Sequence, residues 1–340
     1  MNREIPYWLA LANLPKWGPI KTMSLIIRFH HEHQMTLEDF FYLHETQWKD
    51  EFNLNPQEIE DLNLAKSELA NYAFLAESML NEGYEVLPVI SQDYSKTLKE
   101  NLKTQAPVVL YVKGNKKILE EKSIAIVGSR TASALALQFT DNVAKIASQE
   151  YKVIVSGFAK GVDKQALDSA IKYNGQSIIV LPQGIMTFDS GFKKYYKQII
   201  DGDVLVLSTF HPKAPWRVEL AMARNPIIYG LASEIFVAES NDKGGTWSGV
   251  IDGLRKNRNI FVRKPEMNEK NANNLLIEKG AVPVGFYGKL LENYQGKLQQ
   301  IPIPIVNEPQ NKTAEKTKRI KKKGDPGQKD LFEEDFHIDT

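Results

Sequence analysis

Short, continuous apolar runs recur along the middle of the chain, and helical spacing fills the gaps between them. The runs are Ile124-Ala125-Ile126-Val127, Val153-Ile154-Val155, Ile178-Ile179-Val180-Leu181, Val204-Leu205-Val206-Leu207, Ile235-Phe236-Val237-Ala238 and Ile260-Phe261-Val262. Each is apolar at odd and even positions alike, the pattern of parallel strands covered on both faces. Between them Leu135, Phe139, Val143 and Ile146 share one helical face. Ala166, Leu167, Ala170 and Ile171 share another, in a helix expected to end at Gly175. Strand–helix alternation of this kind predicts right-handed crossovers and a doubly wound, mainly parallel α/β sheet.

The flanks differ. Residues 1–82 predict short helices only. Thr36-Leu37-Glu38-Asp39 is a capping-box start, and Asn55-Pro56-Gln57-Glu58 places a proline in the first helical turn. Tyr84–Val89 and Val108–Val112 predict two strands leading into the sheet. The domains are therefore expected at 1–82, 83–300 and 301–340. The last segment opens with Ile301-Pro302-Ile303-Pro304, which continues neither a helix nor a central strand. Seven Lys or Arg against one Glu follow between Lys312 and Lys323, then six acids against one Lys from Gly324 to Thr340. Six apolar residues among the last 34 bury too little surface to offset ordering, so disorder is expected there.

Composition narrows the chemistry. Basic and acidic residues nearly cancel, for a net charge of +1, so any grip on a polyanion must come from local patches. The absence of cysteine removes disulfides, thiolate catalysis, zinc ribbons and iron–sulfur clusters, and fits a reducing compartment. No run reaches the ~18 apolar residues of a membrane span. A soluble, cytoplasmic protein with no membrane contact is expected.

Three loops follow strands and have anion-binding composition. They are Gly128-Ser129-Arg130-Thr131, Ser156-Gly157-Phe158-Ala159-Lys160-Gly161 and Gly244-Gly245-Thr246-Trp247-Ser248-Gly249. In open α/β sheets, ligands bind beyond the carboxyl ends of strands, where helix N-termini present backbone amides. Glycines admit close approach, the hydroxyls of Ser129, Ser156 and Thr246 donate, and Arg130 and Lys160 add charge. No G-x-x-x-x-G-K-[ST] or G-x-G-x-x-G is present, which argues against a Walker-type NTPase and a dinucleotide enzyme. His211 is the single histidine between Ser123 and Val284, and no G-x-S-x-G elbow accompanies it. His30, His31 and His33 have only Glu32 beside them and read as a solvated helix end; Asp163 reads as a helix-start residue. No catalytic residue, metal or cofactor is expected.

These residues resemble the DprA/Smf family, the DNA-processing proteins of natural transformation. Ala125–Arg130 followed by Ser156–Asp163 carries the resemblance, with Arg224-Asn225-Pro226-Ile227-Ile228-Tyr229-Gly230-Leu231 similar to the family's "RNRIIAGL". Val237-Ala238-Glu239 is similar to its "VVEA", and Asn273, Leu276, Ile277, Gly280 and Ala281 to its "N-x-LI-x-x-GA". The similarity runs from about Tyr84 to Pro283. It implies an extended Rossmann-like domain that binds single-stranded DNA, forms a homodimer and loads a RecA-type recombinase. By motif position Gly128, Ser129, Arg130, Ser156, Gly157, Lys160, Gly161, Arg224 and Asn225 would line the DNA path, and Gly244, Gly245 and Thr246 would add phosphate donors. Phe158, Phe188, Tyr195, Phe210, Trp216 and Trp247 are candidates to stack bases or to build core.

Departures accompany the match. Pro226 replaces a second arginine, the third glycine loop differs from the family's "SGSL" type, and the usual "FP" before Arg224 is missing. The charged tail stands where many members carry a winged helix. The helical module resembles a SAM or helix–hairpin–helix domain, with Leu14–Pro19 as its hairpin. A second class stays open: a nucleotide-binding sensor or nucleotide-processing enzyme of the same superfamily, with a place in phage defence. Such enzymes resemble "PGGxGTxxE" at the third loop, where this chain has Gly249 in place of the glutamate. Finally, Gln328-Lys329-Asp330-Leu331-Phe332 resembles the bacterial sliding-clamp-binding pentapeptide, with Gln328, Leu331 and Phe332 as its contacts.

Overall fold

Nine strands pair into one sheet in the computed structural model, which describes residues 3–291. They are β1 (Glu85–Pro88), β2 (Val109–Lys113), β3 (Ser123–Val127), β4 (Val153–Ser156), β5 (Ser177–Val180), β6 (Val204–Ser208), β7 (Glu234–Val237), β8 (Asn259–Arg263) and β9 (Val282–Val284). Their order is β1-β2-β6-β5-β4-β3-β7-β8-β9. From β6 to β9 all neighbours are parallel, and β1 and β2 add an antiparallel edge beside β6. The chain leaves β3 toward β4, β5 and β6, then returns to β7 on the other side of β3. That reversal is a topological switch point.

Nine helices precede and follow the first half of the sheet: α1 (Ile5–Ala12), α2 (Pro19–Ile26), α3 (Leu37–Tyr42), α4 (Glu45–Asp50), α5 (Pro56–Ser67), α6 (Leu69–Asn81), α7 (Lys96–Leu102), α8 (Ala134–Gln149) and α9 (Val162–Lys172). Six more complete the fold: α10 (Asp189–Lys194), α11 (Tyr196–Ile200), α12 (Val218–Ala223), α13 (Asn225–Leu231), α14 (Gly245–Arg255) and α15 (Asn273–Glu278). The starts expected for α3 and α5 are capped as their sequences require. Thr36 Oγ1 accepts from the Asp39 amide at 3.1 Å, and Asn55 and Glu58 exchange a full capping box. At the end of α9 the left-handed residue is Asn174, one before the expected Gly175. Asparagine tolerates that conformation better than other side-chain-bearing residues.

Strand alternation splits the core in two. Ile124 and Ile126 face α8 and α9, meeting Phe139, Val143 and Ala166. Ala125 and Val127 face the opposite way, into a larger core that extends to Trp8, Leu9, Phe29, Phe40 and Trp48 of the helical region. Asn13 Nδ2 donates to Tyr111 Oη on β2 at 3.5 Å, one of the polar ties between the two regions. The Leu14–Pro19 hairpin is pinned inward. Trp17 Nε1 donates to Asp61 at 2.9 Å, and Lys21 Nζ lies 3.8 Å above the indole. The basic-then-acidic tail, with Gln328, Leu331 and Phe332, lies outside the described residues. No helix among the described residues is long and apolar enough to cross a membrane.

A candidate nucleic-acid interface at the switch point

The three glycine loops follow β4, β3 and β7, which are consecutive in the sheet. Local composition placed each loop after a strand, and strand order brings them together. Between the loops of β3 and β7 lies a cleft of about 370 Å³. Gly128, Ser129, Arg130, Arg224, Asn225, Gly244, Gly245 and Thr246 line it, together with Thr131, Asp163, Met222, Tyr229, Asn241 and Lys243. Glu239, just after β7, ties that strand to the first loop and to α8. The Glu239 carbonyl accepts from the Ser129 amide at 2.9 Å, and its carboxylate accepts from the Ser133 amide at the start of α8. Behind β7, Asn273 is fully buried and ties the ends of two strands, donating to the carbonyls of Ala238 and Arg263.

The remaining expected site residues lie beside or beneath this cleft. Lys160 is exposed next to it. Ser156 is buried and its hydroxyl donates to the Ile126 carbonyl at 2.8 Å, so it ties β4 to β3 and is turned away from any ligand. Gly157 is buried against Arg224: a Cβ there would stand 2.0 Å from Arg224 Nη1. Gly161 takes φ 77°, and a Cβ on it would meet the Ser129 carbonyl oxygen at 2.3 Å and that of Arg130 at 2.8 Å. The second loop thus slots under the first through a position that only glycine fits. Alanine at Gly161 is expected to cost about 2–4 kcal/mol, since it adds both backbone strain and a wedge between two loops. Denaturant titration checks this.

Arg224 departs most from its expected role. It is 3% exposed, and its Nη1 donates to the Gly157 and Val180 carbonyls. Burial pulls its pKa down while the nearby Asp163 carboxyl supports its charge. Asp163 is itself buried, and desolvation raises its pKa against the opposing pull of Arg224 and of hydrogen bonds from the Ala159 and Gly157 backbone. The second loop is therefore held from below by the Arg224 guanidinium on backbone carbonyls, with its charge felt by Asp163, and the loop's inward amides serve Asp163. Arg224 reaches a ligand through the field it adds to the cleft wall rather than through an open side chain.

Free charge at the surface comes from other residues. Arg130, Lys160 and Lys243 are exposed, and among the described residues none of them forms an ion pair. Lys243 was not singled out from the sequence, although it directly precedes the third glycine loop. The Ser129 hydroxyl accepts from the Thr131 amide at 3.1 Å and shapes the first loop. The third loop opens α14, whose first turn has no side-chain cap, leaving early amides for an anion. Of the candidate stacking aromatics, Phe188 and Tyr195 are buried, and both pack edge-on to Phe158 at ring separations of 5.0 and 5.7 Å. Trp247 packs against the core, and Phe210 is half-buried. Trp216 is 50% exposed, in an open segment leading to cleft residues Val218 and Met222, which are also exposed. Among the described residues, no cluster of three His, Asp or Glu side chains has metal-binding geometry.

The chain is 34% identical over 158 residues to DNA processing protein DprA of Streptococcus pneumoniae, covering 46% of this chain and 55% of that protein. It is 29% identical over 186 residues to DprA of Bacillus subtilis, covering 53% and 61%. The chain thus spans little more than half the length of these curated relatives. In structure it matches DprA of S. pneumoniae with a TM-score of 0.62 at 24% identity, over 82% of this chain and 93% of the other. DNA processing protein A of Helicobacter pylori, described for its single-stranded DNA binding mode, matches with a TM-score of 0.50 at 26% identity, over 59% and 90%. The family model for DNA recombination-mediator protein A matches residues 85–295, more than half of the chain. The chain belongs to the DNA recombination-mediator protein A family.

Proposed function

We propose that this protein binds single-stranded DNA at the switch-point cleft and delivers it to a recombinase, without turning over a nucleotide. The observation that carries this is the meeting of exposed Arg130 and Lys243 and the uncapped start of α14 around one cleft, with Lys160 beside it. Arg130 offers a bidentate fork to a phosphate, the lysines act as point charges, and the helix amides add neutral donors. All of these read backbone, so the grip is independent of sequence. Trp216 and Met222 on the rim would contact bases. The relative from H. pylori, named for single-stranded DNA binding, supports the choice of ligand. The family's description as recombination mediators supports delivery to a RecA-type recombinase, and we assign a cytoplasmic homodimer by the same kinship.

The test is binding to single-stranded DNA, duplex DNA and free nucleotides side by side at matched salt. Single strands are expected to bind tightest, with affinity falling as salt rises. Equal affinity for duplex, or nucleotide hydrolysis lost in Arg130→Ala, would overturn the reading.

A partner proposal rests on sequence alone. Gln328, Leu331 and Phe332 would dock on the sliding clamp, the two apolar side chains entering a pocket while the Gln328 amide fixes orientation. A peptide spanning 324–340 is expected to bind the clamp of the same organism, and a Gln328→Ala, Leu331→Ala, Phe332→Ala peptide is not. Anisotropy titration decides, and equal binding by the two sinks the motif.

A further inference from the structure

The cleft does not end at the start of α14. It opens into a second groove of about 390 Å³ between α7, α13 and α14, and Met222, Asn225, Tyr229 and Gly245 line both spaces. The second groove has the volume of a small-molecule site. Its walls differ from the cationic cleft. Pro226 and Gly249 give apolar surface, Asn101, Ser248 and Asp252 bring hydrogen-bonding groups, and its two cations are already engaged, Lys256 with Asp252 and Arg258 with the Ala232 carbonyl.

Tyr229 marks the junction. It is 6% exposed, and its hydroxyl has no hydrogen-bond partner. Buried polar groups are nearly always paired, and an orphan costs stability unless a ligand or water completes it. The ring lies against α14 where the helix has no side chain: a Cβ on Gly249 would stand 2.8 Å from Tyr229 Oη. At the same junction the first amides of the 11-residue α14 are uncapped, and exposed Lys243 stands just before them. An anion-binding helix start and a tyrosine with an unsatisfied buried hydroxyl thus border one continuous depression.

We infer that the groove is a nucleoside subsite: the α14 start and Lys243 hold a 5′-phosphate, and the attached base lies over Tyr229, bonded to its hydroxyl. The shared chemistry is a nucleoside monophosphate unit, either free or turned in from a bound strand. For the strand-borne unit, the assignment rests on the cleft being a DNA track.

Full-length protein is titrated with labelled oligodeoxynucleotides carrying natural bases or an abasic backbone, and with free deoxynucleoside monophosphates. Ser248 is exposed on α14 at the groove wall, so Ser248→Trp fills the groove from a position the fold tolerates. It is expected to weaken the natural strand about tenfold, the scale of one lost base contact, and to leave the abasic strand unchanged. Tyr229→Phe keeps the ring and removes the orphan hydroxyl. It is expected to weaken the natural strand about fivefold while its melting temperature holds or rises. A purely structural tyrosine would not split these two readouts. Displacement of the natural strand by free monophosphates from wild type, and not from Ser248→Trp, identifies free nucleotide as an occupant; strand effects without displacement identify the strand-borne base. Wild-type affinity for the natural strand in both variants overturns the subsite and leaves the DNA track standing. Equal loss of natural and abasic strands in Ser248→Trp also overturns it. Monophosphate binding that Ser248→Trp abolishes, in a wild type that binds neither strand, supports the subsite and overturns the track.

Discussion

Alanine at both Arg130 and Lys160 is expected to reduce single-stranded DNA affinity by about 10²–10⁴-fold, with each single variant losing about 10–100-fold. Each side chain is exposed, and among the described residues neither forms an ion pair, so removal costs the fold little. What is lost is a charge-assisted contact to phosphate, about 1.5–3 kcal/mol each. Salt dependence separates a phosphate contact from incidental damage. Each lost contact should flatten the slope of log affinity against log salt by about 0.7 for a single strand, so the double variant flattens it by about 1.4. Lys243→Ala should behave like either single variant, because Lys243 lines the cleft from the opposite wall. Fluorescence anisotropy at several salt concentrations, with melting curves for each variant, reads both quantities. Wild-type affinity and slope in the double variant would remove the cleft from the DNA path.

The depth of a residue, more than its presence in a loop, was hidden from sequence reading. The strands were legible because buried parallel strands are apolar on both faces, and β3 to β8 carry that signature. β9 was not, because three residues containing Pro283 make a weak pattern; as an edge strand beside β8 it tolerates the missing N–H. The glycine loops were legible one at a time. Their adjacency comes from the order β4-β3-β7, a tertiary fact. Ser156 and Arg224 have the residue types of anion ligands, yet both point inward. One signal was present. Arg224 stands between apolar Leu220, Ala221 and Met222 on one side and Ile227 and Ile228 on the other, the setting of a buried position. Phe158, Phe188 and Tyr195, read from sequence as able either to stack bases or to build core, pack on one another.

Arg224→Ala is expected to destabilise the fold by about 3–5 kcal/mol, because two carbonyls lose their donor, a buried space empties and the buried Asp163 carboxyl loses an opposing charge. In a chain of this size that is a fall in melting temperature of about 10 °C. The arginine is nearly inaccessible, its guanidinium fills the space that Gly157 leaves, and it holds the carbonyls at the ends of β4 and β5. Without it the second loop loses its internal support and Asp163 loses the charge that most opposes its desolvation. The pH dependence identifies the cause. Burial already raises the Asp163 pKa in the intact protein, and removing Arg224 raises it further. A carboxyl whose folded pKa is raised keeps its proton longer in the folded state. Its penalty is absent below its unfolded pKa, grows as pH rises toward the folded pKa, and is complete above it. The deficit of Arg224→Ala should therefore be smaller in acid, where only the lost carbonyl bonds and packing remain, and full at neutral pH. Adding Asp163→Asn to Arg224→Ala should restore the pH-dependent part of the loss, because the amide needs no cation and still accepts from the loop. Melting curves of wild type, both single variants and the double variant across acid to neutral pH carry the test. If Arg224→Ala instead melts with wild type and only DNA affinity falls, Arg224 is a phosphate ligand, and its buried carbonyl contacts have no structural weight.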